Sequence, residues 1–201
     1  MVILAFSLEL FLAILEKIIY KQEVQAGNWT MISHWILICI IWSIIIFIIL
    51  KYAITRYGFT LKDSQSKVSK HQSVIVVGIV LFFIVSKYIG WGGLKIVVEF
   101  NNLGLWKFLI QHLYYFLEVI LFTLIIVFSQ KSFEKWFKNE GIPYGGIICA
   151  LTWGLAHIVT QSSLAIGLFG AIGGFLFGTI YLILNRDLLK TFIVLFLMFI
   201  L

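Results

Sequence analysis

Charge is what this chain has least of. Only 12% of its 201 residues are charged and nine are acidic, against 62% that are hydrophobic. A soluble globular domain carries about twice that share of charge, so composition and a mean hydropathy of +1.07 exclude an ordinary soluble fold. Several windows exceed the roughly 18 to 20 apolar residues needed to cross a hydrocarbon core about 30 Å thick, and only short polar connections separate them. The composition predicts a single integral-membrane domain over residues 1–201, with the lipid bilayer as its partner.

Cysteine and proline are nearly as scarce. Cys39 and Cys149 lie far apart inside apolar runs, which excludes a disulfide framework and a cysteine metal site and predicts buried thiols. The single proline, Pro143, stands among Gly141, Gly145 and Gly146 and marks where a helix starts. The opening stretch MVILAFSLELFLAILEK has no basic n-region and no small-residue cleavage site, so it reads as a retained first helix carrying Glu9 rather than a signal peptide. Basic residues outnumber acids by 15 to 9, but most sit in the connections, where retention on the cytoplasmic side explains them, and no nucleic-acid partner is expected.

Run length and polar punctuation predict an all-α, polytopic transmembrane helix bundle. Its segments fall at 2–19, 31–50, 73–94, 108–128, 145–162, 164–184 and 188–201, the last short and carrying Lys190, which makes six to seven spans. The connections after the second, fourth and sixth segments hold ten Lys and Arg, Lys62 among them; those after the first and third hold four, Lys21 among them. The ten-residue side, and with it the N-terminus, is predicted to be cytoplasmic, in the cell membrane of a bacterium. Between the fourth and fifth segments, SFEKWFKNEGIPYGG reads as an interfacial connection.

In the sixth segment Gly170, Gly174 and Gly178 recur every four residues, which stacks them on one helix face as a packing device that lets another backbone approach. Polar residues inside the apolar runs are few: Glu9, His34, Lys87, His112, Glu118, His157 and Gln161. His34, beside Trp35, reads as an interfacial anchor, and Lys87 as a snorkelling lysine. His112 lies about 600° of helical rotation from Glu118 and faces another way. Glu118, in FLEVILF, is a carboxylate that costs a few kcal/mol in mid-bilayer and needs a partner, a proton or a role. His157, in LTWGLAHIVTQ, has Trp153 and Gln161 one turn away on its own face. Glu118 and His157 lie about ten and twelve residues from the same cytoplasmic junction, so two antiparallel helices bring both to one depth, on the order of 15–18 Å from that face. A desolvated carboxylate that takes a proton from water, with an imidazole to orient that water, is a minimal hydrolytic centre.

LEVILFTLI, followed by WGLAH and then by GGFLFGTIYLIL, resembles the CPBP family, the CAAX prenyl endopeptidases and bacteriocin-processing and self-immunity proteins also called the Abi family. The resemblance covers residues 106–200. The family's first motif, EExxxR, aligns with EVILFT, keeping its first glutamate as Glu118 and replacing the second by Val119 and the arginine by Thr123. Its second, FxxxH, aligns with Trp153 and His157. The third, HxxxN or HxxxD, is expected near Leu195, where VLFLMFIL holds no histidine, asparagine or aspartate. The resemblance implies an intramembrane endopeptidase for a peptide or membrane-protein substrate, with Glu118 and His157 catalytic and Trp153 and Gln161 near the substrate. Losing the oxyanion donors of the third motif implies a rate reduced a hundred- to thousand-fold. Two aligned ligands are too few for a catalytic zinc, so neither metal nor cofactor is expected. The alternatives are an inactive relative acting in bacteriocin self-immunity or as a scaffold for membrane proteins, and a small transporter subunit with its acid on a proton path.

Overall fold

Long apolar runs cannot leave backbone N–H and C=O groups unpaired, and helix satisfies them within one segment. A computed structural model describes residues 2–20, 28–60 and 67–201, and among these every regular element is helical. The helices are α1 (Val2–Tyr20), α2 (Asn28–Tyr57), α3 (Lys70–Trp91), α4 (Lys95–Phe137), α5 (Tyr144–Thr160), α6 (Leu164–Ile183) and α7 (Leu188–Ile200). Lys21 and Lys62 lie outside the described residues. Four helices, α2, α3, α4 and α6, are long and apolar enough to cross a membrane. Helices α5 and α7 are apolar but shorter, and α1 carries Glu9, Glu16 and Lys17.

The chain forms two compact units, one of Met1–Phe59, Lys87–Leu121 and Phe199–Leu201, the other of Thr60–Ser86 and Phe122–Met198. In the first, α1 is held on α2 by the indole N–H of Trp42, which donates to the Ala5 carbonyl at 3.0 Å. The same indole meets the edge of Phe6 and stacks on Tyr114 with centroids 4.9 Å apart. Helix α4 is bent. At Gly104 the backbone takes φ 71° and ψ 169°, a conformation open essentially to glycine alone, with helix on both sides. The sequence stretch 95–107 thus forms helix where a connection was expected, and α4 also continues past 128 to Phe137.

The second unit is built on missing side chains. Helix α6 lays its glycine face on α5: a Cβ on Gly178 would strike the backbone of Gly146, one on Gly174 that of Ala150, and one on Gly154 that of Ala171. The four-residue glycine spacing is therefore the packing device its pattern indicates. Gly145 of α5 in turn lies against the Ile126 carbonyl of α4. Beneath that contact Gln130 ties the α4–α5 turn together, donating to the Ile142 carbonyl and accepting from Gly145 N–H, both at 2.8 Å. Phe122, Trp153 and Phe177 fill the space above, with Phe83 against Phe177. Cys149 is fully buried among them and Cys39 is buried in the first unit, both as free thiols.

Backbone against backbone leaves no room for adjustment. Gly178→Leu is expected to cost about 3 kcal/mol or more, the upper end of overpacking penalties. Gly78→Ala, on α3 with nothing within 4 Å of the new methyl, is expected to be neutral or slightly stabilising. Thermal unfolding of the two purified variants checks the contrast, and equal midpoints would refute it.

Candidate functional site

Among the described residues, four acids gather in the first unit. Glu9 and Glu16 lie two turns apart on α1, Glu99 near the start of α4 and Glu118 beyond its bend. His34, on α2, is buried: its Nδ1 is 2.6 Å from Glu16 Oε2, and its Nε2 is 3.9 Å from Glu9 Oε1. With the Glu16 carboxyl ionised, Nδ1–H donates to it. Glu9 in turn accepts from the Tyr114 hydroxyl at 2.6 Å, so an acid, an imidazole, a second acid and a phenol from three helices form one polar series, buried at Glu16 and His34 and half-buried at Glu9 and Tyr114.

A second series depends on the Gly104 bend. Tyr115 donates to Glu99 Oε1 at 2.7 Å although sixteen residues separate them, which in a straight helix would be about 24 Å. The bend folds residues 95–103 back along the rest of α4, as the edge-on pair of Phe100 and Phe108 also records. Lys95 then lies 3.6 Å from Glu99 and over the Tyr115 ring at 4.1 Å, a cation on a π face. Lys87 and Lys95 both donate to the Phe199 carbonyl, at 2.8 and 3.0 Å. Lys87 thus has a partner remote in sequence, the Phe199 carbonyl. Glu118 is buried and interacts electrostatically with Lys95, Tyr114 and Tyr115.

His157 belongs to the second unit. Helix α5 contains a π turn over Ala150–Gly154, a feature that re-aims side chains and often marks functional helices. Just beyond it, His157 Nδ1 lies 2.9 Å from the Trp153 carbonyl, which can only accept, so Nδ1–H donates to it. The ring meets Trp153 edge to face, with centroids 4.7 Å apart. Gln161 closes the helix with its backbone N–H on the His157 carbonyl while its side chain is exposed. Trp153 and His157 are therefore together, Gln161 is at the rim, and Glu118 stands among the polar groups of the first unit. His112 bonds its own helix at the Phe108 carbonyl, leaving a buried Nε2 without a hydrogen-bond partner among the described residues. Among those residues no three His, Cys, Asp or Glu side chains group as metal ligands.

Glu16, Lys95, Glu99, Tyr114 and Tyr115 were not legible as site residues. Two signals pointed to some of them: Glu9 and Glu16 recur at two helical turns, and Lys95 and Glu99 at one. The tyrosines carried none, since aromatic residues in an apolar helix read as core. Comparison of the chain with known protein families, curated proteins and solved structures finds no match.

Removing one member of a buried polar pair strands the other. His34→Ala is expected to destabilise the protein by about 3–5 kcal/mol, whereas Glu16→Met combined with His34→Leu, which removes both groups, should recover most of that loss. Chemical denaturation in detergent reads the difference, and a double variant no better than His34→Ala would contradict the pairing.

Proposed function

We propose that the chain is a multi-pass membrane protein with a cytoplasmic N-terminus and six to seven crossings, and that it acts as a CPBP-type intramembrane endopeptidase of reduced activity. Glu118 serves as general base and His157 as the group that orients the attacking water. One observation supports this most: Phe122 of α4 and Trp153 of α5 pack with centroids 5.0 Å apart. Glu118 precedes Phe122 by one helical turn and His157 follows Trp153 by one turn, on the same helix faces. Acid and imidazole thus each stand one helical turn from a member of that packed aromatic pair.

In this reading Nε2 of His157, its tautomer set by the Trp153 carbonyl, accepts one hydrogen of a water while Glu118 takes the other proton. The water oxygen bonds to the scissile carbonyl carbon, and the C–N bond breaks as Glu118 returns its proton to the leaving amine.

A second reading, proton transfer across the membrane, draws on the Glu16–His34–Glu9–Tyr114 series, since chains of acids and imidazoles inside membranes mark proton paths. The two readings separate on different residues. Glu118→Gln and His157→Ala are each expected to lower processing of a peptide substrate in membranes by about a hundredfold or more. Full processing by both variants would refute the peptidase. Proton flux into liposomes that is lost on His34→Ala would favour the second reading instead.

A further inference from the structure

The second unit holds a cavity of about 550 Å³ where the segment before α3 meets the turn between α6 and α7. Its lining divides by chemistry. Lys67, Ser73 and Lys190 supply two ammonium groups and a hydroxyl, whereas Leu184, Ile193 and Val194 supply an apolar wall. The geometry points to a binding site for an anionic phospholipid, with the phosphate between the lysines and the upper acyl chains along Ile193 and Val194.

The rim is fixed before any ligand arrives. Asn185 accepts from the Gln72 amide at 2.9 Å and donates to the Lys67 carbonyl at 3.3 Å, tying the α6–α7 turn to the start of α3. Ser69 and Gln72 cap α3 reciprocally, each side chain accepting from the other's backbone N–H. Lys67 and Lys190 are exposed, as is Ile193, so both charge and apolar wall face outward.

Charge selects the sign of the ligand. Lys190 is paired with Asp187 at 2.7 Å, and Asp187 also caps α7 by accepting from Lys190 N–H. Partial burial works against the Asp187 carboxylate, but the hydrogen bonds from Lys190 outweigh it and hold its pKa below the ordinary value. Among the described residues no carboxylate pairs with Lys67, so the cavity keeps a net positive charge. A free phosphate would leave the apolar wall unused and a zwitterionic lipid would bring its own cation against the lysines. Basic pockets between apolar helices bind anionic headgroups in this way. The inference rests on the membrane reading and is independent of peptidase activity.

The test uses the full chain purified in an uncharged detergent, with thermal unfolding followed as phosphatidylglycerol, phosphatidylcholine or inorganic phosphate is added. Phosphatidylglycerol is expected to raise the midpoint in a saturable way, and the other two to have little effect. Lys67→Ala, a change at an exposed side chain, should weaken phosphatidylglycerol about fivefold, and Lys190→Ala by a similar factor. Val194→Trp, which fills the apolar end, should weaken it without touching either charge. Equal responses to the two lipids, a full response to phosphate alone, or wild-type affinity in the Lys67→Ala and Val194→Trp variants would overturn the site.

Discussion

An ionisable side chain inside an apolar bundle has to be answered by a polar group on another segment, and this constraint organises the first unit. Glu16 is answered by His34, Glu9 by Tyr114, Glu99 by Tyr115 and Lys95, and the two lysines by the Phe199 carbonyl. Such pairs add little net stability, because desolvation offsets most of the attraction. Their effect is on specificity: a shifted helix would strand a charge. The bend at Gly104 exists in the same sense, since only a reversed start to α4 lets Glu99 reach Tyr115.

The second unit is held together differently. Glycines remove the side chains altogether, so α5 and α6 approach to backbone contact and dispersion acts over a dense interface. One half of the chain is thus specified by matched polarity and the other by matched absence. The π turn lies in that glycine contact, where Gly154 and Ala150 face α6, and it sets the orientation of Trp153 and His157.

The parts of the fold legible in the sequence were those with a local signature. Helical class, the glycine face of α6 and the buried thiols follow from periodicity and run length. The start of α4 was missed because Lys95, Glu99, Asn101 and Asn102 read as a polar connection, and only their internal partners make that stretch helical. The partners of His34 and Lys87, Glu16 and the Phe199 carbonyl, were not legible because they are remote in sequence. For the candidate site, His157 and its indole neighbour follow from one-turn spacing, whereas the surroundings of Glu118 depend on a bend at Gly104 that no local pattern announced.

The proposal that most needs a test is that Glu118 and His157 act together on one water. Proximity in native membranes tests it most directly, with Glu118→Cys and His157→Cys combined after Cys39 and Cys149 are replaced by alanine, and a short thiol cross-linker added. The account predicts efficient intramolecular linkage for this pair and none for a control joining Glu118→Cys to Ile147→Cys, about 15 Å further along the helix. Linkage of the control in preference to the 118–157 pair would contradict it.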